Sequence, residues 1–127
     1  MADHAEGQFK IQSWDEKPYG ERLARASVEQ AFSGDIVGEG SVEWLMCYRE
    51  DKTADFVGLQ RVEGKIGERS GSVVLKTIGT FDGAEARADL SVVPGSGTDG
   101  LEGLRGQGGF VAPHGSTASF TLDYDFE

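Results

Sequence analysis

Six residues, Gly95-Ser96-Gly97-Thr98-Asp99-Gly100, carry the G-x-G-x-x-G spacing with which a strand-to-helix turn cradles a dinucleotide pyrophosphate. The run that follows, Leu101 to Gly109, is too rich in glycine to form the helix whose N-terminus would hold that anion, and Asp99 and Glu102 would repel it. The segment therefore reads as a structural loop. Ser27, His114 and an aspartate have the composition of a hydrolytic triad, but nothing around Ser27 resembles a nucleophile elbow. Cys47 has no base near it in sequence and falls on the outward parity of a strand, which makes it a small packing residue rather than a nucleophile. One cysteine, with His4 and His114 outside the patterned segments and no calcium-loop spacing among the acids, leaves no metal site and no cofactor to expect.

The chain has 127 residues, with 22 acidic against 12 basic side chains and a net charge of −10, which fits one domain over residues 1–127. Lys and Arg are scattered among acids, so a phosphate-binding surface, and with it nucleic acid, is not expected. No apolar run is long enough to cross a bilayer and no N-terminal signal pattern stands out, so no membrane partner and a cytoplasmic location are expected.

What could position functional side chains is a set of strands. Period-two alternation marks eight segments: Gln8 to Trp14, Leu23 to Phe32, Ser41 to Arg49, Thr53 to Val62, Ser72 to Phe81, Glu85 to Val93, a weaker glycine-rich Arg105 to Ala112, and Thr117 to Phe126. Arg22 to Gln30 has residues that also favour helix, but its alternation and Val28 tip it to strand. Ser33-Gly34-Asp35, Glu50-Asp51-Lys52, Glu63-Gly64-Lys65 and Asp82-Gly83 carry turn chemistry between them. Short connections make neighbours antiparallel, and eight such strands close into a barrel or fold as a sandwich; the barrel is preferred.

With the apolar parity inward, the interior contains few polar groups: Gln30, Gln60 and Thr77, with the amphipathic Trp44, Tyr48 and Tyr124. No carboxylate or histidine is among them, so general acid–base hydrolysis is not expected. A bulge could turn Glu43, Arg49, Arg61 or Lys76 inward. Small residues on the same parity, including Ala24, Ala26, Ala54, Gly58, Gly79, Ala86 and Ala88, either let the barrel pinch shut or leave a lumen lined by Phe9, Phe32, Trp44, Phe56 and Phe120. Alternation leaves a filled core and a lumen both open. On the outer parity, Leu45, Val57, Leu59, Val74 and Ile78 are apolar, which suggests cover by a partner subunit or by the N-terminal arm; a homo-oligomer is expected.

Phe9-Lys10-Ile11-Gln12-Ser13-Trp14-Asp15-Glu16, Arg25-Ala26-Ser27-Val28, Phe32-Ser33-Gly34-Asp35-Ile36-Val37-Gly38-Glu39-Gly40, Phe56-Val57-Gly58-Leu59, Arg69-Ser70-Gly71-Ser72 and Val92 to Thr98 together resemble, over nearly the whole chain, a bacterial family of small proteins of unknown function with an allene oxide cyclase-like β-barrel fold. The run of Gly-Ser-Gly and Leu-Glu-Gly-Leu-Arg-Gly is also similar to a loop and strand of plant allene oxide cyclases and dirigent proteins. The resemblance implies an eight-stranded antiparallel barrel with a hydrophobic lumen. It also implies departures: the cyclase's first-strand glutamate falls at Lys10, and a glutamate and a histidine frequent in the family fall at Gln60 and Thr77.

The expected function is therefore binding of a small apolar molecule in the lumen, with a cofactor-independent cyclisation or isomerisation of a natural-product-like substrate as its catalytic form. Gln30, Trp44, Tyr48, Phe56, Gln60, Thr77 and Tyr124 are the expected ligand-binding residues. The alternative is a non-catalytic carrier or stress-associated protein with a closed barrel that works through its surface.

Overall fold

A computed structural model describes residues 3–113 and 117–127; His114 lies outside them. Eight strands run in chain order around a closed antiparallel barrel: β1 (Asp3–Pro18), β2 (Leu23–Gly34), β3 (Ile36–Tyr48), β4 (Ala54–Ile66), β5 (Arg69–Phe81), β6 (Glu85–Val92), β7 (Leu104–Pro113) and β8 (Thr117–Phe126). Every alternating segment of the sequence is one of these strands, including the arginine-led stretch of β2 and the glycine-rich β7. In β2, Ala24, Ala26, Val28, Gln30 and Phe32 are buried while the residues between them face water or the rim, which is the burial pattern that side-chain alternation on a pleated strand requires.

The strands are longer than the alternation suggested. Glu63-Gly64-Lys65 is not a turn: β4 runs through it in register with Val37, Gly38 and Glu39 of β3, and the reversal falls at Gly67, whose φ is +61°. The Asp82-Gly83 turn is where the sequence puts it, with the Asp82 carboxylate accepting from the Ala84 and Glu85 amides at 2.9 Å each. Those amides hold the carboxyl below its ordinary range.

One break in register matters for function. Ile11 pairs with Gln30, but the next pair is Ser13 with Glu29, so Gln12 is an extra residue in β1. Up to the bulge the odd residues Ala5, Phe9 and Ile11 face the interior. Beyond it, Trp14, Glu16 and Pro18 pair with the inward residues Val28, Ala26 and Ala24, and so turn to the lumen side. Glu43, Arg49, Arg61 and Lys76 all remain outside.

The barrel has unlike ends. At one, β2 to β3 and β4 to β5 reverse tightly, and the long β6 to β7 connection folds a short 3₁₀ turn, Asp99–Leu101, under the opening. This is the glycine-rich segment, and it is the structural loop expected. It extends β6 along the free part of β5: Thr98 N–H donates to the Ser72 carbonyl at 2.9 Å, while Thr98 Oγ1 and Ser96 Oγ accept from the Ser72 and Val74 amides at 3.1 Å each. Gly71 has no room for a side chain because the Thr98 carbonyl lies against it. The turn drives Leu101 into the base of the barrel, where it packs with Ile36, Ile66, Val73, Leu104 and Leu122, all under 5% exposed. The void left there is about 10 Å³, too small for more than a single water.

The outer face has a row of apolar residues. Leu45, Val57 and Ile78 are directly opposite one another on β3, β4 and β5, with Leu59 beside them, and all four are 45 to 58% exposed. The N-terminal segment does not cover them, since it is the β1 stave, hydrogen-bonded between β2 and β8. Val74 is half-covered by the loop at Ser96. His4 lies within β1, contrary to its unpatterned look in sequence, and Cys47 is exposed on β3 rather than packed.

Candidate functional site

The other end of the barrel is open, and behind it lies a cavity of about 230 Å³. Its wall is almost wholly apolar: Ile11, Met46, Ala54, Ala86 and Ala112 alternate with the rings of Phe9, Trp14, Trp44, Tyr48, Phe56, Phe81 and Phe110, and Gln30 is at its inner limit. The volume exceeds the ~150 Å³ cavity that takes up benzene in an engineered protein core, and approaches the ~300 Å³ at which drug-sized pockets begin. A broader hollow of about 1240 Å³ on the outside of the wall is lined by outward side chains such as Asp55, Val57, Thr80, Arg87 and Asp89 and lies open to solvent across several strands.

The cavity exists because small inward residues let large ones lie flat. A Cβ on Gly58 would come within 2.5 Å of the Trp44 ring, and one on Gly79 within 2.6 Å of Phe56. Trp44 on β3 thus folds over the glycine of β4, and Phe56 on β4 over the glycine of β5, each ring hugging the next strand instead of crossing the lumen. The two rings meet edge to face with centroids 5.0 Å apart, and Phe110 approaches Phe9 edge-on at 5.2 Å. Ala54, Ala86 and Ala112, at the rim, keep the entrance clear.

Four of the seven residues expected to bind a ligand, Gln30, Trp44, Tyr48 and Phe56, line this cavity together. Gln60 stands behind Gln30, its Nε2 donating to Gln30 Oε1. Thr77, on β5 opposite Gly58, is also wholly buried but outside the cavity wall. Gln60 Oε1 and Thr77 Oγ1 have no hydrogen-bond partner among the described residues, which is uncommon for groups so deep. Tyr124 belongs to the opposite end, half-buried at the closed rim beside a shallow surface depression with His4, Asp35 and Lys65. Burial, with Asp3 and Asp35 nearby, raises its hydroxyl pKa. Lys10, where the resemblance would put a catalytic glutamate, points outward.

Trp14 and Glu16 are the site residues that alternation missed. The Glu16 carboxylate bridges two ring substituents at the mouth, accepting from the Trp14 indole N–H at 3.0 Å and from the Tyr48 O–H at 2.9 Å. Partial burial first, and this carboxylate second, push the Tyr48 hydroxyl up to about 12, so it serves as a donor and not as a base near neutrality. The sequence did carry a signal: Phe9 to Ile11 is a step of two, but Ile11 to Trp14 is a step of three, where unbroken alternation allows only even steps. Among the described residues no cluster of His, Cys, Asp and Glu is arranged to hold a metal ion, and no helix is long and apolar enough to cross a membrane.

Comparison with known proteins agrees with this architecture. A family model described as protein of unknown function (DUF3224) matches residues 5–124. A crystal structure of a protein of unknown function from the DUF3224 family of Shewanella oneidensis superposes with a TM-score of 0.85 at 25% sequence identity, covering 100% of this chain and 98% of that one. No curated protein matches the chain.

Proposed function

The chain belongs to the DUF3224 family of unknown function, and from that starting point we propose that its barrel is a container for one small, mainly apolar molecule, taken up through the open end. The observation that carries the reading is the aromatic-walled cavity of about 230 Å³ at one end of a barrel whose other end is packed. A protein that needed only a stable barrel could fill both ends alike, since each void costs stability. Gln30 supplies an amide at the inner limit of the space and Tyr48 a hydroxyl at its mouth, enough to orient a ligand with one polar substituent.

A cofactor-independent cyclisation or isomerisation is the catalytic form of the same reading. The polar groups at hand hydrogen-bond rather than transfer protons, so acceleration would come from folding a reactive substrate against rigid rings in a water-poor space. The rival surface role favours a filled interior, and the open cavity weighs against it.

Tryptophan fluorescence tests the container directly, because Trp14 and Trp44, the two tryptophans of the chain, both line it. Titration with tert-butylbenzene is expected to give a saturable change at one equivalent. Ala112→Phe, which adds a ring at the rim beside Ala86, is expected to abolish that change while the fold is kept. No saturable change in the wild type, or an unaltered one in the variant, would refute the reading.

A further inference from the structure

The mouth has a charge asymmetry that hydrophobic binding alone does not use. Among the described residues no ionised side chain lines the cavity, and the one hydrogen-bonded to its lining is Glu16, held by Trp14 and Tyr48. Three cationic side chains close to Glu16 in sequence are engaged elsewhere: Arg22 pairs with Glu50 at 2.9 Å, Arg25 with Glu43 at 3.0 Å, and Lys17 with Asp15 at 3.7 Å. The faces of aromatic rings are electron-rich and attract cations, most strongly where water is excluded. A molecule with a net charge of −10 adds a negative field that steers cations toward it and anions away.

Resting on the container reading above, we propose that the cavity selects a small organic cation, a quaternary or tertiary ammonium on a compact apolar body, over a neutral molecule of the same shape. The alkyl groups of such a head meet the apolar wall and its diffuse charge meets the rings. Each Glu16 oxygen already accepts one hydrogen bond from the protein, which fixes the carboxylate at the rim, facing the lumen side because of the β1 bulge. A quaternary ammonium needs a nearby negative charge and no further acceptor, so it is compatible with a carboxylate so engaged. Glu16 is in this view the specificity-determining residue, and the aromatic wall is the generic binding surface.

Phenyltrimethylammonium and tert-butylbenzene have the same shape and differ by one charge. Titrated into the wild-type protein, the cation is expected to bind about tenfold more tightly than the hydrocarbon. In Glu16→Gln the ratio of the two affinities is expected to fall toward one. Equal affinity for both ligands in the wild type, or an equal loss of both in Glu16→Gln, would overturn cation selection and leave the container standing. Binding of neither would overturn both.

Discussion

The two ends of the barrel are built from the same alternating strands and differ in what stops them. At the closed end an eleven-residue connection, 93–103, turns under the opening and inserts Leu101, so Ile36, Ile66, Val73, Leu104 and Leu122 pack around a plug. At the open end the described connections are short and none sends an apolar side chain inward; alanines stand at the rim and glycines let Trp44 and Phe56 lie along the wall. The closed end is therefore where stability is concentrated, and the open end is where surface has been left available for a ligand.

The sharpest way to break this comparison is to remove the plug. Leu101→Ala deletes a side chain that is 1% exposed, and should cost about 2–5 kcal/mol in urea denaturation, whereas Phe81→Ala at the half-buried open rim should cost about 1 kcal/mol. Equal costs would mean that the ends do not differ in packing. Between the ends is Thr77, whose hydroxyl is buried without a partner among the described residues. Thr77→Val keeps the shape and removes that group, and is expected to raise stability by up to about 1 kcal/mol; a loss of more than that would show the hydroxyl to be satisfied by a buried water.

The smallest expected effect concerns pH. His4 at the closed end joins β1 to β8, bonded to Asp123 at 2.7 Å and Glu6 at 3.1 Å, and these hydrogen bonds raise its pKa above the usual 6.5. A group whose folded pKa is raised stabilises fully below its unfolded value, and the contribution fades as pH rises through the folded value. The urea midpoint should therefore fall slightly from pH 5.5 to 8.5, and His4→Gln should flatten that part of the profile. Carboxylates such as Glu43, lowered by Ser27 and Arg25, act in the opposite sense, losing their contribution only as pH falls through the acidic range.

Strand identity was legible because one face of each strand is buried, and burial writes alternation into sequence. The same logic placed Gln30, Gln60 and Thr77 inside. It did not assign residues to ends, which is why Tyr124 was grouped with residues a barrel length away. It also ran past Gln12, since one extra residue reverses parity without changing composition, and so Glu16 looked like one more solvated acid. Leu101 was hidden for a related reason: a plug carried on a loop has no period to read. The details that distinguish the two ends are thus those that depart from strand regularity.

Pressurising crystals of the protein with xenon tests the difference between the ends most directly. Xenon favours dry apolar space, and a cavity of about 230 Å³ can accommodate it, whereas a void of about 10 Å³ cannot. The expected result is ordered xenon among Phe9, Trp44, Phe56 and Phe110 and none around Leu101. An open end without xenon, its space filled by rearranged side chains, would contradict the container.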